Sequence, residues 1–390
     1  KQERPKKQTC LSSFLGIPKV PEPPVVKEPE AAQVKVDKKR YLPDVKRVIG
    51  TNFIVDGFQW GHQEWCQAWF LTHFHYDHYS GLGKWFKGTL YCSRTTANLV
   101  IHQLRIDLDK IFILELGVEY VIHDHTVTAV DANHCPGSVM LIFKASNNRT
   151  ILHTGDCRAD INCLEMSRLS SMYFDYVYLD NTYCDPRYCF APQRTAIQAC
   201  LDCVDHMIGD RNSLTIKNVR ILIGTYLIGK ERLAIAIANH LNCKLSVLKR
   251  EKQKIMACID WIELQSVLTD ADSLVKIVPI GMISAEKLRE EFPDCDKLIA
   301  IKPTGWTHDS LKTSKSKANG CSLKEYECGK VVIVNVPYSE HSSFNELGEF
   351  LNELNFGTVI PTVNNLYGKQ YKLRGTYSPH DLLRDIYNRQ

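Results

Sequence analysis

Seven consecutive residues, Thr72-His73-Phe74-His75-Tyr76-Asp77-His78, carry three imidazoles and a carboxylate. Donors at such density, on alternate and adjacent positions, point to a metal site rather than a polar surface turn. Nitrogen and oxygen ligands in this mixture suit zinc, a borderline-soft cation. Two later stretches offer more donors. Asp131-Ala132-Asn133-His134-Cys135-Pro136-Gly137-Ser138 follows a strand and holds His134. His153-Thr154-Gly155-Asp156 follows Ile151-Leu152 and ends in a carboxylate whose two oxygens can each take one cation.

These donors need elements to position them. Ala68 to Leu71 reads as a short buried strand and Tyr79 to Leu82 as a turn entering a helix. Phe53 to Phe58 is strand-like, with Asp56-Gly57 as a turn. Tyr120 to Ile122, Val127 to Val130 and Tyr176 to Leu179 read as further strands. Val139 to Phe143 and Ile151-Leu152 read as a hairpin closed by Asn147-Asn148. Gln193 to Met207 is an amphipathic helix pattern, Arg220 to Gly224 an apolar strand, and Glu231 to Leu241 a helix. Lys330 to Val336 and Gly357 to Val363 are the last buried strands. Many short strands feeding loops, with helices between them, indicate an α/β layered core. Metal donors on loops at strand ends are where hydrolytic chemistry usually sits.

The chain has 390 residues, 44% hydrophobic and 24% charged, which is ordinary globular composition with length for two domains or more. A net charge of +4 is too mild to establish a nucleic-acid partner by itself. The 15 cysteines are scattered, with no secretory signal ahead of them, and read as free thiols in a reducing compartment. Cys200 and Cys203 have metal-like spacing but fall in a helix pattern, so buried thiols are expected. No apolar run reaches the roughly 18 residues a membrane span needs. Residues 1–40 are rich in Lys, Glu and Pro, without apolar periodicity, and read as a disordered linker. Within them Arg4-Pro5-Lys6-Lys7 is either part of a nuclear import signal or plain solvated linker. The chain starts at Lys1 rather than Met, which reads as a piece of something longer.

His-x-His-x-Asp-His, then a loop His, then Gly-Asp after a strand, resembles the metallo-β-lactamase fold. The resemblance implies a four-layer αββα architecture in which Asp56 is an early structural carboxylate. It implies one metal held by His73, His75, His134 and Asp156, and a second facing Asp77, His78 and Asp156. Leu179-Asp180-Asn181-Thr182-Tyr183, Val336 to Phe344 with His341, and Ile360 to Asn364 resemble the motifs of the β-CASP group, the nucleic-acid branch of this fold. RNA-processing members carry His where this chain has Val363; DNA-acting members carry Val. Gly224 to Glu231 and Pro303 to Thr307 are similar to the DNA cross-link repair nucleases, the group that includes Artemis and Apollo. The resemblance covers roughly residues 41 to 365 and implies a metallo-β-lactamase domain over 41–190, an inserted α/β β-CASP domain over 191–325, and a return segment over 326–390.

What the resemblance implies chemically is a zinc-dependent DNA 5′-to-3′ exonuclease acting on a 5′-phosphate end in interstrand cross-link repair, in the nucleus. A zinc-bound water has its pKa lowered from about 15.7 to near 7, which supplies a hydroxide nucleophile at neutral pH. Asp77, Asp180 and His341 are the expected catalytic side chains. His341 serves as acid for the departing 3′-oxygen or contributes to the second metal, and Asp180 orients a histidine. With Val363 in place of His, one tight zinc and a weaker second divalent cation are expected. Thr225, Tyr226, Gly229 and Lys230, between a strand and a helix, with Ser339, are the expected phosphate contacts. Leu227 departs from relatives that carry Ser. Lys244, Lys249, Arg250, Lys252 and Lys254 either contact backbone phosphates or form a solvated helix face. A hairpin-opening endonuclease and a non-catalytic DNA-binding scaffold are the alternatives, and repair-protein partners are expected without being identifiable.

Overall fold

A computed structural model of the chain describes residues 41–209, 219–305, 317–318 and 320–363. The expected linker, Trp306-Thr307, most of the Lys-rich loop at 312–317 and Asn364 lie outside them. Four parallel strands, β1 (Phe53–Val55), β2 (Ala68–Phe70), β3 (Leu90–Cys92) and β4 (Ile111–Ile113), form one sheet in that order. A second sheet holds β5 (Glu119–Ile122), β6 (His125–Asp131), β7 (Val139–Lys144), β8 (Thr150–His153) and β9 (Tyr173–Leu179). The third runs through β10 (Val219–Thr225), β11 (Leu245–Val247), β12 (Val275–Pro279), β13 (Lys297–Pro303), β14 (Lys317–Ala318), β15 (Cys321–Tyr326) and β16 (Val331–Val336). β17 (Asn355–Pro361) returns to the second sheet as the parallel edge partner of β9, giving the order β17-β9-β8-β7-β6-β5.

Strand side chains alternate between faces, and that alternation builds the layers. Phe53, Val55, Ala68 and Phe70 of the first sheet meet Val127, Ala129, Val139, Leu141, Phe143 and Ile151 of the second in one core. Phe70 and Phe143 close edge to face, with ring centroids 5.2 Å apart. The alternate residues point outward. Ile54 and Trp69 share a core with Ala97, Leu99 and Val100 of the helix Arg94–Leu104. Val130, Met140, Ile142, Leu152 and Val177 pack on Leu347, Phe350 and Leu351 of the helix Phe344–Glu353. Helix, sheet, sheet, helix is the four-layer arrangement the sequence motifs imply. The seven-stranded sheet has its own two apolar faces: Ile221 and Ile223 on one, Leu222, Leu298 and Ala300 on the other.

Several local expectations shift. The strand from Phe53 ends at Val55 because Asp56 takes a left-handed φ of 51°. The helix next to the metal run is a single turn, Tyr76–Tyr79, so it precedes the expected Tyr79–Leu82 turn instead of following it. Gly81, at φ 89°, does not continue it. The hairpin closes as expected, with Lys144 opposite Thr150 and Asn148 at φ 63°. β16 pairs with β13 and β15, so the crossover back to the six-stranded sheet falls after Val336 rather than near 326.

Candidate metal centre

β6 and β8 both pair antiparallel with β7, and β8, β9 and β17 are mutually parallel. The C-terminal ends of β6, β8, β9 and β17 therefore share one edge. His134, Asp156, Asp180 and Val363 follow those four strands. His73 follows β2, and the bond from Val139 N–H to Thr72 O at 3.0 Å ties that end to the same edge. His341 arrives from β16. These segments line a cavity of about 760 Å³ that includes His75, Asp77, His78, His134, Asp156, Lys230, Ser339 and His341.

Hydrogen bonds fix the tautomers of three histidines. Thr72 Oγ1 donates to Asp56 Oδ2 at 2.8 Å, so it accepts from His73 Nδ1 at 3.0 Å. His134 Nδ1 lies 2.7 Å from the Glu340 carbonyl and His75 Nε2 lies 3.3 Å from the Ile228 carbonyl. A carbonyl only accepts, so both ring nitrogens donate. The unprotonated nitrogens are then His73 Nε2, His75 Nδ1 and His134 Nε2. They converge: His75 Nδ1 is 2.9 Å from His73 Nε2 and 3.1 Å from His134 Nε2. Burial holds all three rings below the usual imidazole range, so each stays neutral.

Lone pairs aimed at one another with no proton between them repel, unless a cation lies among them. Nitrogens on a tetrahedron of 2.0–2.1 Å Zn–N bonds would stand about 3.3 Å apart. The donor set fits a divalent metal of that kind. Asp156 Oδ2 lies 3.7 Å from His73 Nε2, 3.9 Å from His134 Nε2 and 3.2 Å from His78 Nε2. Burial opposes its charge, but His78, His341 and His73 hold its carboxyl well below the ordinary range. His78 sits between two carboxylates, with Nδ1 2.7 Å from Asp56 Oδ2. Burial disfavours its cationic form, yet Asp156 and Asp56 raise its pKa well above the usual value. Gly155, at φ 56°, lets Asp156 approach: a Cβ there would come within 2.9 Å of Thr72 Cβ.

Asp77 is the predicted ligand not brought into this cluster. Its side chain is 79% exposed, with Oδ2 3.6 Å from His78 Nε2. It occupies the first turn of Tyr76–Tyr79, on the solvent-open side of the cavity, where its charge stays hydrated. Cys135 lies within reach of the three histidines, although sequence reasoning gave it no role. Its thiol is buried and held well above the ordinary range, first by burial and then by Glu340 and Glu231.

Asp180 Oδ2 accepts from His341 Nδ1 at 2.8 Å and from the Cys157 amide at 3.1 Å. Thr182 donates twice to its other oxygen, from N–H at 3.0 Å and from Oγ1 at 2.6 Å. This leaves His341 Nε2 facing Asp156, 4.0 Å from Oδ2. Burial disfavours a charged His341, but Asp180 and Asp156 raise its pKa above the usual value.

The expected phosphate loop is already occupied by the chain's own carboxylates. The Gly229 amide donates to Glu231, at 2.9 and 2.8 Å, and the Lys230 amide to Glu340 Oε1 at 2.6 Å. Lys230 Nζ pairs with Glu340 Oε2 at 3.3 Å. Thr225 Oγ1 turns to the Tyr226 carbonyl, and Ser339 Oγ bonds within its own turn to His341. Of the expected set, Tyr226, Lys230 and Ser339 line the cavity. Gly229 is needed at φ 101°, where a Cβ would lie 2.7 Å from Glu340 Oε2. Lys252 is neither a solvated nor an outward-facing lysine: its ammonium donates to the carbonyls of Tyr226 at 2.7 Å and Leu227 at 2.5 Å. Lys244 reaches the Ser266 carbonyl. Glu340 and Lys252 carried no sequence signal for these roles, because each acts through a partner distant in the chain.

A family model described as DNA repair metallo-β-lactamase matches residues 262–366. The chain is 38% identical to mouse DNA cross-link repair 1A protein, over 87% of this chain and 33% of that protein. It is 36% identical to Arabidopsis thaliana DNA cross-link repair protein SNM1, over 84% of this chain and 67% of that one. Chicken 5′ exonuclease Apollo is 32% identical, over 81% of this chain and 63% of that protein. The chain spans about a third of the length of the vertebrate 1A proteins it matches.

Proposed function

The chain belongs to the DNA cross-link repair SNM1 family of DNA repair metallo-β-lactamases, and from that premise we propose that it is a zinc-dependent DNA 5′-exonuclease acting in cross-link repair in the nucleus. One observation carries the metal reading: three neutral imidazole lone pairs, on residues from two separate stretches, converge within 2.9–3.1 Å. The substrate reading rests on the relatives' names, Apollo's among them.

His73, His75, His134 and Asp156 would hold the tight zinc, with His78 and Asp77 beside a weaker second cation. When bound, such a cation supplies Lewis-acid polarisation of a phosphate oxygen and an activated water. The remaining steps belong to the chain. Asp56 and the Thr72 hydroxyl keep His78 and His73 in orientation. Asp180 holds His341 by Nδ1 and, with Asp156, favours its cationic form; that imidazolium would give its Nε2 proton to the departing 3′-oxygen and become the neutral Nδ1–H ring. A 5′-phosphate end would meet Lys230 and Ser339 in the cavity. No helix among the described residues is long and apolar enough to cross a membrane.

The test is an oligonucleotide with or without 5′-phosphate, labelled so that polarity is resolved, with and without chelator. Stepwise shortening from the phosphorylated 5′ end, abolished by chelator and by His75→Ala, is expected. Full activity of His75→Ala would end the reading. Mid-strand products from a hairpin would replace it with a structure-selective endonuclease.

A further inference from the structure

We propose that Tyr76 and Tyr226 form a base-stacking subsite at the mouth of the metal cavity, gripping unpaired nucleobases beside the reacting phosphate; this rests on the DNA reading above. Both rings line the same cavity, and both are exposed, Tyr76 by 72% and Tyr226 by 57%. Exposed aromatic rings on the wall of a cavity offer faces on which an unpaired base can stack.

The Tyr76 ring is held from beneath, and Tyr226 is held through its backbone. Tyr76 meets Tyr79 edge to face at 5.6 Å, and Tyr79 stacks on buried Phe74 at 4.3 Å. This aromatic ladder runs from the core to the cavity rim within the metal-binding run itself. Tyr226 stands on the loop after β10, whose carbonyls are pinned by the half-buried Lys252 ammonium. Platforms held this way lose little freedom when a base stacks on them.

The charges nearby explain why rings are needed. The two loop amides that could cradle a phosphate are bound to Glu231 and Glu340, and Lys230 is paired with Glu340. Among the described residues of this loop, Lys230 is the lysine facing the cavity, and its pairing with Glu340 weakens the hold its charge has on a strand's backbone. Stacking supplies a grip that tolerates any sequence, because every base has a π-face. It also discriminates against intact duplex, where a base must leave its own stack first.

The experiment compares 5′-phosphorylated oligonucleotides whose first nucleotides carry either bases or abasic tetrahydrofuran residues. The rates kcat/KM are measured for the wild type, Tyr76→Ala, Tyr226→Ala and the Phe variant at each position. We expect the wild type to prefer the base-bearing strand about fivefold or more per ring. Each Ala variant should reduce that ratio, and each Phe variant should keep it. Metal content of Tyr76→Ala, read by plasma emission, separates loss of the ring from damage to the adjacent ligands. A wild-type ratio near one, or Ala variants that slow both strands alike with metal retained, overturns the stacking subsite alone. Hydrolysis of neither strand by the wild type overturns the DNA reading and this inference together.

Discussion

Asp180 and His341 lie 161 residues apart in sequence and 2.8 Å apart in space, joined from Oδ2 to Nδ1. The carboxylate is itself fixed by the Cys157 amide and by both donors of Thr182. A histidine held so rigidly at one nitrogen presents the other in a single direction, toward Asp156 and the cavity.

Replacing Asp180 by Asn removes the charge but keeps the shape. We expect activity on a phosphorylated oligonucleotide to fall by roughly 10- to 100-fold, the usual cost of losing a partner that orients a ligand or catalytic ring. Asp180 is one of the groups that raise the His341 pKa above its ordinary value. Without it the protonated form is lost at lower pH, so the alkaline fall in kcat should shift to lower pH. A pH–rate profile with an unmoved alkaline limb would remove His341 from the role of acid.

Much of this arrangement was legible in the chain, and for a physical reason. Metal donors must be dense and placed at strand ends, so His73, His75, His78, His134 and Asp156 stand out by type and spacing. The layers were legible because strands such as β7 are short, nearly unbroken apolar runs bounded by turn residues, the mark of a strand buried on both faces. What could not be read was long-range pairing. Nothing local in Lys252 says that its ammonium turns under the loop at 226–227, or in Glu340 that it fills the anion site the loop's backbone suggests. Asp77 stands apart from the other donors because its helical turn carries it to the open side of the cavity, with Oδ2 3.6 Å from His78 Nε2. The placement of β16 depends on which sheet edge is open, which no local pattern encodes.

Glu231 gives a pH-dependent stability. Burial raises its pKa from 4.5 to about 7, against the smaller opposing pull of Lys252. A folded-state pKa above the unfolded one contributes stability that is complete below about 4.5 and is lost as pH rises through about 7. Glu231→Gln cannot ionise, so its stability should not show this loss. Between pH 5 and pH 8 the wild type should fall by about 2 to 3 kcal/mol relative to the variant. Urea midpoints at the two pH values measure this, and parallel pH dependence in both proteins would contradict it.

Removing metal should cost stability as well as activity, because the three bare imidazole nitrogens are left facing one another. A ligand present at 1,000 times its Kd contributes about 4 kcal/mol. For a unit of this size, stripping it should lower the thermal midpoint by roughly 5 °C. Zinc should restore the midpoint, and magnesium should not, since nitrogen-rich sites disfavour a hard, oxygen-seeking cation. Differential scanning fluorimetry before and after chelation decides the matter; an unchanged midpoint would show that the cluster holds no ion in solution.

Arg158 is the last test, because it links the carboxylate end of the site to the histidine end. It is wholly buried, bonds Glu346 Oε1 through Nε at 3.0 Å and Nη2 at 2.7 Å, and donates from Nη1 to the Ser339 carbonyl at 2.8 Å. Glu346 in turn caps the helix Phe344–Glu353 through Ser343. Arg158→Met strands a buried carboxylate, which typically costs 3–5 kcal/mol, whereas replacing both members of such a pair by apolar residues is often close to neutral. Arg158→Met with Glu346→Leu should therefore be more stable than Arg158→Met alone, short of full recovery because the helix cap is lost. Activity should be reduced in both, since the Ser339 carbonyl keeps Gln193 Nε2 at 2.9 Å but loses Arg158, which loosens the turn leading to His341. Urea denaturation of the single and double variants measures the coupling, and strictly additive losses would mean that the ion pair does not join these two halves of the site.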